Sequence, residues 1–331
     1  MKAKTFIPRA YFCNSLQLNL SEFGSVNPTE KCIKRLMKDA KSEFNKNYIE
    51  IFVIYTFEYA QIMLKDYSSK FSKHTYTNAV KFTILALKNY LNLTYRKICD
   101  LLDLSRDIHK ILKISKVPHY STLQKFFKNL PTKILHNFNN FIVNIFVNKC
   151  EIIALDGSGF TSDHADKYYA IIRKKERKSY IKCHIAIDVD TRLILHFQTQ
   201  RGTRHDTKFA DASLRKMKRF KSHYIVCDKA YDTENIRTII NEEINASDII
   251  PNKTNLKTGY FRKRSRYVLR KPIYNRRNNV ESVFSVIKRH FSGINSSRIT
   301  KLLNKETKLK CLIYNIYRSI QLNQNRISTE P

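Results

Sequence analysis

Two aspartates in the chain stand where an α/β protein tends to hold a cation. Asp156 closes the apolar run IIAL and is followed by Gly-Ser-Gly, so a sharp turn is expected just after the carboxylate. Asp228 closes YIVC in the same way and leads into KAYD and a helical pattern. The crevice outside the carboxyl ends of strands is the usual binding place in such sheets. Two acids there could share divalent cations, and hard carboxylate oxygens suit Mg²⁺, which needs only a few of them. For one aspartate alone, the preference of Asp for turns is explanation enough. Asp232 is expected to cap a helix beginning at Thr233, and Asp188 and Asp190 to end a strand before Thr191. A third ligand is needed to make Asp156 and Asp228 more than turn residues.

Glu281 is the candidate. It is a lone acid in YNRRNNVESVFSVIKRHF, residues 274–291, which reads as a helix. At about 100° per residue, Tyr274, Arg277, Glu281 and Lys288 fall on one narrow stripe. Val280, Val283, Phe284, Ile287 and Phe291 form the adjoining apolar stripe, so the polar row lies at the edge of the helix contact. The plain alternative is an Arg277–Glu281 pair four residues apart on a solvated face, contributing a few tenths of a kcal/mol. The flanking residues 253–279 hold ten Lys and Arg, among them Arg264, Arg266 and Arg276, and no acid. Tyr260, Phe261, Tyr267 and Tyr274 are interleaved. Cations neutralise phosphates while aromatic rings stack on exposed bases, so this basic loop is expected to contact DNA.

The elements that must position these residues follow from hydrophobic spacing. Before residue 150 the spacing is helical, as in YTNAVKFTILALKNYLN (76–92). After it come short β-branched runs at 151–156, 180–189, 192–200, 223–228 and 247–251, with helical patterns at 206–220 and 232–243. This predicts a mixed α/β domain over 151–331, preceded by an all-α region over 1–150. Within the helical part, Thr94 is expected to cap one helix and Ser121 a second, with Gln124 completing a capping box. With Lys125 and Lys128 on the second helix, 93–131 suits a helix-turn-helix on DNA; an ordinary bundle with a solvated lysine face has the same pattern.

Composition bounds the partner. Lys and Arg number 61 against 28 Asp and Glu, a formal charge of +33, which implies a polyanion. The most apolar stretches, 49–60 and 134–147, are too short and too interrupted for a membrane span. No signal segment is read at the start. Seven scattered cysteines without a CxxC pair argue against zinc or a disulfide framework and fit a reducing, cytoplasmic setting. Nucleic acid is the favoured partner.

With those residues in place, the sequence resembles the DDE transposases of bacterial and archaeal insertion sequences, in the broad group of families four and five. The signature Y-x2-R-x3-E-x6-K is met by Tyr274, Arg277, Glu281 and Lys288. DGSGF (156–160), GTRHDTK (202–208), DKAYD (228–232) and VPHYSTL (117–123) resemble family blocks in the expected order, and the match spans most of 93–291. The resemblance implies a ribonuclease-H-like catalytic domain with a mixed five-stranded sheet, its third strand edge-paired and helices on both faces. Asp156, Asp228 and Glu281 become the catalytic triad holding two Mg²⁺ ions, with Mn²⁺ as a substitute. Arg277 and Lys288 grip phosphates at the transposon end, with Tyr274 positioning them; His205 and Asp206 are weaker candidates. The spacing from Asp228 to Glu281 leaves no room for the large β-rich insertion of some relatives.

The implied activity is hydrolysis at transposon ends followed by joining of the 3′-hydroxyl to target DNA, with no covalent protein–DNA intermediate. The implied partners are the double-stranded terminal inverted repeats and target DNA, bound by a homodimer in a prokaryotic cytoplasm. Two rivals share the residues: a ribonuclease-H-like nuclease without strand transfer, and an inactive transposase-derived DNA-binding protein.

Overall fold

The computed structural model describes residues 47–69, 71, 73–147, 149–162, 180–202, 207–253, 258–268 and 271–328. Among the described residues six helices come first: α1 (Tyr48–Met63), α2 (Asn78–Tyr90), α3 (Tyr95–Leu104), α4 (Arg106–Leu112), α5 (Tyr120–Asn129) and α6 (Thr132–Phe146). Thr77 and Thr94 cap α2 and α3, each hydroxyl accepting from the amide three residues on. Ser121 does not cap α5. His119 takes that position and Ser121 lies inside the first turn, its amide donating to His119 Nδ1. The helix begins two residues earlier than expected, at Tyr120, with the cap residue His119 directly after Pro118.

The strands are β1 (Ile152–Ser162), β2 (Tyr180–Asp188), β3 (Ile194–Arg201), β4 (Tyr224–Cys227), β5 (Ser247–Ile249) and β6 (Ile294–Asn295). Interspersed are α7 (Thr207–Met217), α8 (Glu234–Thr238), α9 (Tyr260–Val268), α10 (Lys271–Asn275) and α11 (Asn278–His290), and the chain closes with α12 (Thr300–Ser328). The sheet order is β3-β2-β1-β4-β5, with β1, β2 and β3 antiparallel neighbours and β4 and β5 parallel to β1. This is the expected ribonuclease-H-like mixed sheet with its third strand at the edge. The short β6 adds a sixth strand, parallel to the far end of β1.

Helices cover both faces. Residues along β3 point alternately to opposite faces: His196 meets Ser213 of α7 on one face, and Thr199 Oγ1 donates to Asn304 O of α12 on the other. On the second face, Cys183 of β2 lies 3.6 Å from Cys311 of α12. The start of β3 has no strand outside it, and two buried amides take over its ladder. Asn315 Oδ1 accepts from Ile194 N, while Asn139 and Asn315 Nδ2 both donate to Ile194 O. One hydrophobic core runs from Ile51 to Ile320, joining α1 and α2 to α12 and the sheet.

Candidate active site and nucleic-acid surface

The turn expected after Asp156 is absent. β1 runs on through Gly157, Ser158 and Gly159 to Ser162, held by nine residue pairs with β2. Tyr180 to Ile185 supply a continuous partner, and that tertiary pairing outweighs the local preference of Gly-Ser-Gly for a bend. Asp156 therefore sits in mid-strand, opposite Ile185, at the level where the shorter β4 ends. Leu155 pairs with Cys227, so Asp156 and Asp228 are the next neighbours across the β1–β4 ladder. Beyond them β1 continues to β6, and α11 lies over β1 on the same face. The crevice forms where β4 stops and β1 does not.

Each carboxylate is oriented locally. Asp156 Oδ1 accepts from Gly157 N at 2.8 Å, and Asp228 Oδ1 accepts from Lys229 N at 2.6 Å, starting a short 3₁₀ turn. Glu281 lies in the first turn of α11, whose Val280, Val283, Phe284 and Ile287 are buried. The helix over 274–291 is interrupted: α10 ends at Asn275, a tight turn covers Arg276 and Arg277, and α11 starts at Asn278. Backbone bonds from Asn279 to Arg276 and from Val280 to Arg277 keep the polar stripe aligned across that break.

Arg277 lies between two of the acids. It donates to Glu281 Oε1 at 2.6 Å and stands 3.7 Å from Asp156 Oδ2. Among the described residues, the buried Nε of Arg277 has no hydrogen-bond partner. Burial pushes the Asp156 carboxyl up to about 6; Gly157 and Arg277 oppose the rise, and Asp228 and Glu281 add to it. Arg277 is raised although burial works against it, because Glu281 and Asp156 favour its charged form. Tyr274 is raised chiefly by burial, and Arg277 and Asp228 also act on it. Lys288 donates to Ser158 Oγ at 2.7 Å and stands over the Phe160 ring, and burial lowers its pKa.

Among the described residues no group of three or more His, Cys, Asp or Glu is drawn together as a metal cage. The donor set nevertheless fits a hard divalent cation. Asp228 and Glu281 both act on Asp156, Arg277 reaches Asp156 and Glu281, and Asp156 still resists ionisation.

Ser158 is a site residue that the sequence reading missed. It lies two residues from Asp156 on the same face of β1, and strand alternation would have found it had DGSG been read as strand. Arg276, grouped with the DNA contacts, instead pairs with Asp190 in the β2–β3 turn, and Asn279 Nδ2 donates to Val189 O. Those contacts pin the start of α11 to the sheet. Asp188 behaves as a turn residue, accepting from Thr191 N and Oγ1.

Asp232 does not cap α8, because Thr233 does, accepting from Ile236 N. Asp232 is buried between Arg237 and Arg262 and also accepts from Lys253 N. These bonds hold its pKa down against the effect of burial. Arg237, fully buried, further pairs with Asp248 of β5 and donates to Ile250 O. Through Arg262 the network docks α9, and the basic stretch is helical over α9 and α10 where a loop was expected. Phe261, Arg262 and Ser265 face inward, leaving Tyr260, Lys263 and Arg264 exposed. The Arg266 side chain lies outside the described residues, as do His205 and Asp206.

In the helical region, α3 and α5 pack together with α4 between them in sequence. Lys125 and Lys128 are exposed on α5. Lys125 lines an open groove of about 510 Å³ with Lys65, Lys81 and Phe126. Buried Lys305 of α12 donates to Phe127 O and Lys128 O, capping the carbonyl end of α5 and fixing it to the sheet domain.

The β3-β2-β1-β4-β5 mixed sheet, flanked by helices, is that of the ribonuclease-H-like fold class. A family model for the transposase DDE domain matches residues 148–316, and the chain belongs to that family. Its class is that of DNA transposition and recombination. Among solved structures, the chain is similar to a piggyBac transposase synaptic complex with hairpin DNA, determined by cryo-EM. Identity is 10%, coverage is 88% of this chain and 76% of that chain, and the TM-score is 0.46. No curated protein matches the chain. No helix among the described residues is long and apolar enough to cross a membrane.

Proposed function

We infer that the protein binds the double-stranded ends of its own element, cleaves them in a Mg²⁺-dependent reaction and joins the freed 3′-hydroxyl to target DNA. The observation that carries this reading is the placement of Asp156 and Asp228 side by side, with Arg277 linking Asp156 to Glu281, in a chain of the transposase DDE family. Asp156, Asp228 and Glu281 hold the divalent cations, with Mn²⁺ as a substitute. Bound there, the ions supply an activated water and neutralise the leaving oxygen of the phosphodiester.

The chain's own groups do the rest. Arg277, beside Asp156 and Glu281, would direct its guanidinium, whose Nε has no hydrogen-bond partner among the described residues, toward a DNA phosphate. Lys288, steadied by Ser158, holds a second phosphate, and Tyr274 packs beside Arg277 to set its direction. Arg264 and Lys263 on α9, and Lys125 and Lys128 on α5, hold the duplex through its backbone. Residues 1–150 act as the DNA-binding region and 151–331 as the catalytic domain. Two copies pair on DNA, because two ends must meet in one synapse. The setting is a prokaryotic cytoplasm.

The test uses a pre-cut end with a free 3′-hydroxyl, built from the DNA flanking the coding sequence, together with a plasmid target and Mg²⁺. Joined product is the expected result. Cleavage of intact ends without joining of pre-cut ones identifies a nuclease instead.

A further inference from the structure

At the β3 edge of the sheet, opposite β5, side chains from β3, α6, α7, α12 and the 3₁₀ turn Lys218–Phe220 gather cationic groups with no carboxylate paired to them among the described residues. His196 on β3 is buried, with Nδ1 3.3 Å from Ser213 Oγ and Nε2 3.1 Å from Lys216 Nζ, both on α7. The ring of His136, from α6, stacks on it at 5.8 Å between centroids and 21° between planes. Lys308 of α12 and Lys216 both act on His136, and Lys216 also acts on Lys308. Arg219 bears on His196 while donating to Asn140 Oδ1 at 3.0 Å. Among the described residues, none of Lys216, Arg219 and Lys308 forms an ion pair with an acid.

Such crowding is costly in a protein without a ligand. Burial, then the nearby lysines, hold His136 down to about 4 and His196 down to about 2. Both rings are therefore neutral at pH 7, and His196 Nε2 can accept from the Lys216 ammonium. Burial lowers Lys308 as well. Like charges brought together and partly desolvated destabilise a fold, and such arrangements cluster where a ligand of opposite sign completes them.

We propose that Lys216, Lys308 and Arg219, arrayed around His136, His196 and Ser213, form a binding site for a phosphate group, distinct from the carboxylate crevice. The two ammonium groups and the guanidinium donate to tetrahedral oxygens, and the stacked imidazoles form the floor. A DNA backbone phosphate and a free phosphate ion share this chemistry. That DNA is the source rests on the proposed function; the affinity for phosphate does not.

The experiment compares the full chain with the variant K216Q/K308Q, and with K216Q alone, whose exposed side chain can change without disturbing the core. Thermal unfolding checks folding, and removal of like charges leaves the melting temperature at or above that of the parent. Inorganic phosphate, added against chloride at matched ionic strength, shifts the His136 and His196 ring resonances of the parent and not of the double variant. With duplex DNA, the log–log salt slope of binding falls by about 0.9 in the double variant, equally for all sequences. Histidine shifts with an unchanged slope assign the site to free phosphate. Absence of both effects overturns the proposal. A parent that binds no DNA refutes the proposed function, while the histidine titration still decides this site.

Discussion

Arg277 stands between Glu281, 2.6 Å away, and Asp156, 3.7 Å away, so that one guanidinium joins helix α11 to strand β1 across the crevice. The surface pair suggested by residue spacing is real, but its arginine also reaches a second carboxylate. In the DNA-free protein this cation stands in for the positive charge that three acids require.

Replacing Arg277 by Gln should therefore expose the acids to one another. Without divalent ions the variant should lose about 1–2 kcal/mol of stability, the scale of a charge-assisted hydrogen bond. Added Mg²⁺ should raise its melting temperature more than that of the parent, since no internal cation competes. Differential scanning calorimetry with and without Mg²⁺ measures both effects.

Asp156 carries its own pH signature. Its folded-state pKa of about 6 lies above the ordinary 3.8, so the folded protein binds more protons than the unfolded one between those values. The neutral carboxyl costs nothing below about pH 4, and the penalty grows to its full size above about pH 6. Asp156→Asn, measured free of metal, should be more stable than the parent at pH 7.5 by up to about 3 kcal/mol. The difference should close as the pH falls toward 4, which urea unfolding across that range will record.

The buried network under α9 should be fragile to removal of its centre. Arg237→Met leaves Asp248 without its cation and removes one of the two arginines on Asp232. A loss of about 3–5 kcal/mol is expected in urea unfolding. Protease should cut within 258–268 earlier than in the parent, because Arg262 shares the same aspartate.

Lys288→Ala should weaken binding to every duplex and lower the salt slope by about 1, the mark of one lost phosphate contact. Ser158→Ala removes only the partner of Lys288 and should leave the slope unchanged. Filter binding across a salt series separates the two.

Much of this was legible in the residues because the apolar periods are local. The stripe of Val280, Val283, Phe284 and Ile287 fixes which side of α11 is buried, and so where Glu281 must point. The order of the β-branched runs likewise gave the strands. What failed were features decided by distant partners. The strand through Asp156-Gly-Ser-Gly exists because β2 pairs with it. Asp232 is a buried anchor because two arginines, five and thirty residues away, converge on it. Arg276 meets Asp190 across 86 residues. The helicity of α9 was obscured by its charge, although Phe261 and Ser265 mark an inward face.

The most direct test of the account is Glu281→Gln, assayed on DNA carrying the sequences that flank the gene. Glu281 is exposed on α11 and a Gln oxygen can still accept from Arg277, so the fold and the binding of those ends should stay close to the parent. Cleavage in Mg²⁺ should disappear, since one of the three carboxylates is gone. Cleavage at the parental rate by a folded, DNA-bound Glu281→Gln variant would contradict the assignment of Glu281, and with it the triad.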